Sequence, residues 1–283
     1  MKPEAHRMLT PPLPLDQGTP SSVLTPPPPE LSGQIDLCWA TSGCTGAGTS
    51  FHELLPDAGG HLIFRHSPRG CRLVLLGPTT ERATVEREAG AEYLGIHFRP
   101  GQVPRLADVR SSELTNGFVE LTRLGGMPID SVAERLRALP DLASRQRALA
   151  ELLRGEAPPL VTDARCRRAT RLLEAHGGRL RVDELAAELG LHVRSLERLF
   201  LEHHGMTPKR MSRLVRLWNV FGALYSGTYG NLAELAQECG YSDQPHLIRD
   251  FKALTDRLPG EKDAFQNRRL ERAETRVVHR HRP

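Results

Sequence analysis

What most limits the fold of this chain is an internal repeat. Leu185, Ala186 and Gly190 recur fifty positions later as Leu235, Ala236 and Gly240. Leu196, Arg198 and Phe200 recur fifty-one positions later as Leu247, Arg249 and Phe251, so the second copy carries one extra residue in its middle. Each copy reads as two short helices joined by a turn, at about 182–203 and 231–254. The small Ala186 or Ala236 lets the first helix approach the second closely. Gly190 or Gly240 supplies the left-handed backbone that ends the first helix. Leu196 with Phe200, and Leu247 with Phe251, stand four apart and bury one stripe of each second helix.

At ~100° per residue, positions two away from a buried leucine lie roughly opposite it. Those positions are Arg194 and Arg198 in the first copy, and Pro245 and Arg249 in the second. A polar, arginine-bearing face opposite the core is what a helix needs to enter a major groove. Arg198 and Arg249 are equally suited to a phosphate contact or an ion pair within the fold. Between the copies, Thr207-Pro208 opens a longer helix running to about Tyr225, with Met211, Leu214, Trp218 and Phe221 on one stripe. At 1.5 Å per residue this connector spans roughly 28 Å. With its flanking turns it approaches the ~34 Å between successive major grooves on one face of DNA. Charge points the same way: residues 1–160 sum to −2 and residues 161–283 to +6. A basic half joined to a slightly acidic one fits a polyanion partner, or simply a solubilising tail.

Residues 163–265 resemble, throughout, the DNA-binding domain of the AraC/XylS family of transcription regulators. The run Gly240-Tyr241-Ser242-Asp243-Gln244-Pro245-His246-Leu247-Ile248-Arg249-Asp250-Phe251-Lys252 is close to the family's second-unit motif. The resemblance implies double-stranded DNA as partner, with base reading by Arg194, Ser195, Glu197 and Arg198 in the first unit. In the second unit it implies Gln244, Pro245, His246 and Arg249. Glu197 suits either rejection of wrong bases or orientation of an arginine. Three positions depart from the family pattern. Arg181 stands where Ser or Thr usually caps the first helix, although Asp183 and Glu184 favour a helix start. Asp256 replaces the Gly that usually follows the last helix, at a cost of roughly 1 kcal/mol if its backbone is left-handed. Lys262 stands where an aromatic is expected. The second unit is therefore expected to dock less firmly than the first.

The N-terminal half reads differently. Residues 1–30 are rich in proline, with Pro26 to Pro29 unbroken, and are expected to form a disordered leader. From Leu31 to about Pro104, short apolar runs such as His61-Leu62-Ile63-Phe64, Leu73-Val74-Leu75-Leu76 and Tyr93 to Phe98 alternate with Gly and Pro, as in a β-sandwich or small barrel. Residues 131–154 switch to a helical period, and Pro140 divides them into two helices that cover the sheet or form a dimer contact. Residues 156–162 read as a linker and 266–283 as a basic tail. Leu54-Leu55-Pro56-Asp57 and Gly95-Ile96-His97-Phe98-Arg99-Pro100-Gly101 resemble a cupin-like sensor found ahead of AraC-type domains in bacterial regulators. That resemblance covers about residues 31–125 and implies a small-molecule effector, a homodimer contact, or both, for a domain of 31–155. The expected fold is thus two-domain α+β: a cupin-like β-barrel with covering helices, then an all-α domain with two helix-turn-helix units.

Other classes are disfavoured. No apolar run approaches the ~20 residues needed to cross a bilayer, and the N-terminus lacks the charge pattern of a secretory signal. Five cysteines, an odd number with no CxxC pair, fit reduced thiols in a cytoplasm. No GxSxG or phosphate-binding loop occurs. Cupin enzymes hold iron or manganese with histidines and a carboxylate, and His52, Glu53, His61, His66 and His97 are the candidates. None forms the HxH spacing that aims two imidazoles to one side of a strand. The one HxH, His279 to His281, lies in the tail. No metal, no cofactor and no catalytic residue is expected. The alternatives are a cupin-type enzyme fused to a DNA-binding domain and a ligand-free dimerising regulator.

Overall fold

A computed structural model of the chain describes residues 21–42, 49–104, 106, 109, 112–124, 126–154, 163–261 and 279–280. The proline-rich start yields the first correction. The expected leader of 1–30 holds, at Ser21–Thr25, an edge strand, β1, and then a 3-10 turn at Pro29–Leu31. These five residues contain no proline, so β1 pairs antiparallel with β2 (Ile35–Ser42) in the register Ser21↔Ser42 to Thr25↔Cys38. Proline is disfavoured inside a ladder but tolerated at its ends and just beyond it. The Thr25 hydroxyl donates 2.6 Å to Gln146 Oε1, pinning the edge to a covering helix. Residues 1–20 and the expected linker lie outside the described residues.

The remaining strands are β3 (Thr49–Leu54), β4 (Gly60–Ser67), β5 (Gly70–Leu76), β6 (Ala83–Glu88), β7 (Glu92–Phe98), β8 (Gly117–Leu121), β9 (Arg123–Leu124), β10 (Met127–Pro128) and, from the tail, β11 (His279–Arg280). Among the described residues, five of these join β1 and β2 in one sheet of order β1-β2-β7-β4-β5-β8-β11, while β3 pairs with β6 and β9 with β10. Side chains alternate across the sheet. Leu62 and Phe64 of β4, with Leu94, Ile96 and Phe98 of β7, enter the larger core. Two helices cover that face, α1 (Ile129–Arg137) and α2 (Leu142–Arg154), through Val132, Leu136, Leu149 and Leu153. Each such side chain contributes about 1.5–3 kcal/mol when fully buried. The other face carries Leu37, Trp39, Ile63 and Tyr93 in a smaller cluster, and His61 and His97 belong to the same alternation.

The C-terminal lobe is a helical bundle: α3 (Ala164–Ala175), α4 (Val182–Glu188), α5 (Val193–His204), α6 (Pro208–Ser226), α7 (Leu232–Glu238) and α8 (Gln244–Thr255). Two helix-turn-helix pairs, α4–α5 and α7–α8, flank the connector α6. Thr207 caps α6, its hydroxyl accepting from the Arg210 N–H at 3.2 Å. Gly190 and Gly240 end α4 and α7 with φ of +64° and +78°, values an L side chain rarely adopts. Phe221 of the connector packs on Trp218 and on Phe251 with ring centroids 5.2 and 5.0 Å apart.

The two lobes share a seam. Leu55 and Ala58, in the turn before β4, are buried in the same cluster as Leu214, Trp218 and Phe221. The Trp218 indole N–H donates to the Pro56 carbonyl at 3.0 Å, and the Thr115 hydroxyl donates to the Gly205 carbonyl at 3.1 Å. No helix among the described residues is long and apolar enough to cross a membrane.

Candidate nucleic-acid interface

Each recognition helix is held by an apolar stripe and presents its opposite side. In α5, Leu196 and Phe200 are fully buried while Arg194 and Arg198 are exposed and Ser195 and Glu197 are half-buried. In α8, Leu247 and Phe251 are fully buried, Pro245 and Arg249 are exposed, and Gln244 and His246 are half-buried. All eight residues expected to read bases therefore lie outside the helical core, with Arg194, Arg198, Pro245 and Arg249 the most exposed.

The caps explain why these helices start where they do. The Arg181 N–H donates to Glu184 Oε2 at 3.0 Å, which serves the start of α4 without a Ser or Thr cap. Asn231 Oδ1 accepts from the Ala233 and Glu234 N–H groups at the start of α7. Asp243 caps α8, its Oδ1 accepting from the His246 N–H at 2.6 Å, and that bond holds its carboxyl below the usual range. His246 is fixed further by Ser242 Oγ, 3.1 Å from its Nδ1, and by an edge-on contact with the Tyr241 ring.

A buried network behind α8 escaped the sequence reading. Tyr241 donates its hydroxyl to Asp250 Oδ2 at 3.3 Å, and Arg213 of the connector donates Nε to Asp250 Oδ1 at 2.7 Å. Arg216 lies over the Tyr241 ring at 5.0 Å, and burial pushes the phenol pKa up. These contacts clamp α8 to α6, so the second unit is seated by polar contacts as well as by Leu247 and Phe251. Asp256 does adopt the left-handed backbone, with φ of +60°, and its carboxylate meets Arg82 of the sheet lobe at 3.1 Å. Lys262 lies outside the described residues. Beside this pair opens a cleft of about 830 Å³, lined by Glu81, Arg82, Arg210, Arg249, Lys252 and Asp256 among others. The exposed face of α8 thus borders the sheet lobe.

Of the histidines and carboxylate considered as metal ligands, the structure brings together His61 and His97, joined by Asp57. Their ligating atoms all lie within 4.8 Å of one another and all three residues are buried. His61 faces His97 directly across the β4–β7 ladder, with ring centroids 4.6 Å apart. Asp57 Oδ2 is 3.3 Å from His61 Nε2 and 2.7 Å from His97 Nε2. Asp36 Oδ2 stands 3.6 Å from the other nitrogen of His97. Burial disfavours the His97 cation, but the charges of Asp57 and Asp36 outweigh it and raise its pKa. Burial likewise works against the Asp57 carboxylate, and the His97 charge overcomes it and lowers its pKa. Burial lowers the His61 pKa. A search for HxH missed this set because its imidazoles come from two paired strands. His66 is half-buried on β4, outside the set, and nothing is described of the His52 and Glu53 side chains.

Residues 185–264 match the family described as a helix-turn-helix domain, and residues 24–120 match a domain of unknown function, DUF6597. No curated protein matches this chain. Among solved structures, it is similar to the C-terminal domain of AraT, a response regulator from Geobacillus stearothermophilus, at 20% identity and a TM-score of 0.35. That match covers 40% of this chain and 93% of the other. A probable AraC family transcriptional regulator from Rhodopseudomonas palustris CGA009 is 25% identical over 34% of this chain and 92% of its own, with a TM-score of 0.31. ToxT from Vibrio cholerae is 11% identical over 87% of this chain and 99% of its own, with a TM-score of 0.43.

Proposed function

We propose that this chain, whose residues 185–264 match a helix-turn-helix domain and which resembles the AraC/XylS transcriptional regulators, reads double-stranded DNA through both α5 and α8. The observation that carries the reading is the paired arrangement of faces. Arg194 and Arg198 stand exposed opposite the fully buried Leu196 and Phe200, and Arg249 stands likewise opposite Leu247 and Phe251. Arg194, Ser195, Glu197 and Arg198 then enter one major groove, and Gln244, Pro245, His246 and Arg249 the next. The connector α6 spaces the two insertions, so one chain reaches both grooves without a dimer.

In this reading the protein is a regulator and not an enzyme. The sheet domain of 31–155 receives a small-molecule signal and passes it across the seam at Leu55, Pro56 and Ala58. The domain of 163–265 delivers the signal to DNA. Selection of bound sites from a random duplex pool by the full chain tests the DNA reading. The expected product is two dissimilar elements about one turn, ~10 bp, apart and without palindromic symmetry. Recovery of no common sequence, or of a palindrome, overturns it.

A further inference from the structure

We propose that Asp57, His61 and His97 form a binding site for a divalent first-row transition-metal ion of the zinc type, and that occupancy of this site is a signal the sheet lobe passes to DNA binding. The second half rests on the DNA-reading function argued above. The first half does not.

The donor set is suited to such an ion, since two imidazoles and one carboxylate are ligands for zinc and its first-row neighbours. All three side chains are buried; among the described residues His61 Nδ1 has no hydrogen-bond partner, and the His97 ring nitrogens face only the carboxylates of Asp57 and Asp36. Two imidazoles and a carboxylate so enclosed, with few partners beyond one another, are costly and rare in a protein interior. An ion between the three residues replaces the present contacts of Asp57 Oδ2 with His61 Nε2 and His97 Nε2, and all three atoms become its ligands.

Spacing agrees. Metal–ligand bonds near 2.1 Å in a tetrahedral array place ligand atoms about 3.4 Å apart. The His61–Asp57 separation of 3.3 Å already has that value, and the His97–Asp57 separation of 2.7 Å needs only a small opening. The surroundings add a second feature of metal sites, a carboxylate behind a ligating imidazole that fixes its tautomer. Asp36 stands 3.6 Å from His97 Nδ1 on the side away from Asp57, and Arg99 holds Asp36 in turn at 3.5 Å. Gly59 completes the site. A Cβ there would lie 2.6 Å from His97 Nε2, the atom that must face the ion.

The route to DNA is short. Asp57 is locked to Thr79 by two backbone bonds of 2.8 Å, so its side chain moves with its turn. Its neighbours Leu55, Pro56 and Ala58 make the contact with the connector helix between the two recognition helices. An ion that opens the His97–Asp57 contact therefore acts one residue from that seat.

The test uses the full chain stripped with chelator and titrated with cobalt(II), then with zinc(II). The expected result is one equivalent of cobalt giving a visible absorption without a thiolate charge-transfer band, displaced by one equivalent of zinc. Asp57→Asn and His61→Gln should abolish it, and His66→Gln should leave it unchanged. If the first two variants misfold by circular dichroism, Asp36→Asn serves instead, with affinity expected to fall about 10- to 100-fold. Gel-shift titrations of the stripped and zinc-loaded chain read the signal, and a change in DNA affinity is expected. Absence of a cobalt spectrum in a chain that still binds DNA overturns the site, as does a spectrum that survives Asp57→Asn and His61→Gln. Equal DNA affinity with and without zinc overturns the signalling half. Failure to bind DNA in either state, with the cobalt spectrum present, defeats the DNA-reading function and leaves the site standing.

Discussion

The Trp218 indole N–H donates to the Pro56 carbonyl oxygen at 3.0 Å, joining the connector helix of the DNA-binding lobe to the turn that leads to Asp57. Trp218 is 7% exposed, so water does not compete for this bond. Replacing Trp218 by Phe keeps an aromatic ring but strands the carbonyl. Leaving one buried partner unpaired costs about 1–3 kcal/mol. Urea unfolding of Trp218→Phe should show a loss of that size, and unchanged stability would mean that the carbonyl finds another donor.

Arg194→Ala and Arg198→Ala should leave the fold intact, because both side chains are exposed on the side of α5 away from Leu196 and Phe200. Each should lower discrimination between a selected site and a scrambled one by about 1–3 kcal/mol. Gel-shift titration against both duplexes measures this. If both mutants kept full discrimination, α5 would be contacting only phosphates.

Asp256 pits a backbone cost against an ion pair. Its φ of +60° favours glycine, and its carboxylate pairs with Arg82 across the seam. Asp256→Gly removes a strain of about 1 kcal/mol, loses an exposed pair of roughly 0–1 kcal/mol, and adds some backbone entropy to the unfolded chain. Thermal unfolding should therefore change little, by under about 1 kcal/mol. Limited proteolysis should become faster between the lobes, where the Asp256–Arg82 pair is gone. A large destabilisation would mean that the Arg82 contact is far stronger than an exposed pair.

His204 gives a pH dependence whose sign follows from its burial. Its Nε2 lies 2.9 Å from Thr170 Oγ1 and 3.2 Å from Cys166 Sγ. The Thr170 hydroxyl is spent on the Cys166 carbonyl, so it accepts from a neutral imidazole. Burial, and secondarily the charge of His203, push the His204 pKa down from 6.5 to about 3. A folded-state value below the unfolded one means that the stability is fully present above about pH 6.5 and is lost as pH falls. At 1.36 kcal/mol per unit the loss reaches about 2 kcal/mol near pH 5. The urea midpoint of the native chain should fall over that interval more steeply than that of His204→Gln. Parallel slopes would show that the imidazole is protonated in the fold.

Much of the helical lobe was legible in the residues. The connector expected from Thr207 to Tyr225 is Pro208–Ser226 with Thr207 as its cap. The two units expected at 182–203 and 231–254 are α4–α5 and α7–α8. The seating of α8 was not legible, because Asp250 meets Arg213 from another helix. The strand at Ser21–Thr25 was not legible either, because its pairing depends on the neighbour that β2 offers.

The sequence by itself determined the duplicated helix-turn-helix and which face of each recognition helix is buried. Both follow from a 3.6-residue period and from a turn that needs glycine, and these are properties of a few adjacent residues. Only the tertiary structure decided that Asp57, His61 and His97 meet. Their meeting depends on the register that sets His61 opposite His97 across two strands, and a register is fixed by the packing of whole strands. The same holds for the seam. Among the described residues, Leu55 and Ala58 are buried in the cluster of the helical lobe, because the connector helix comes to rest on them.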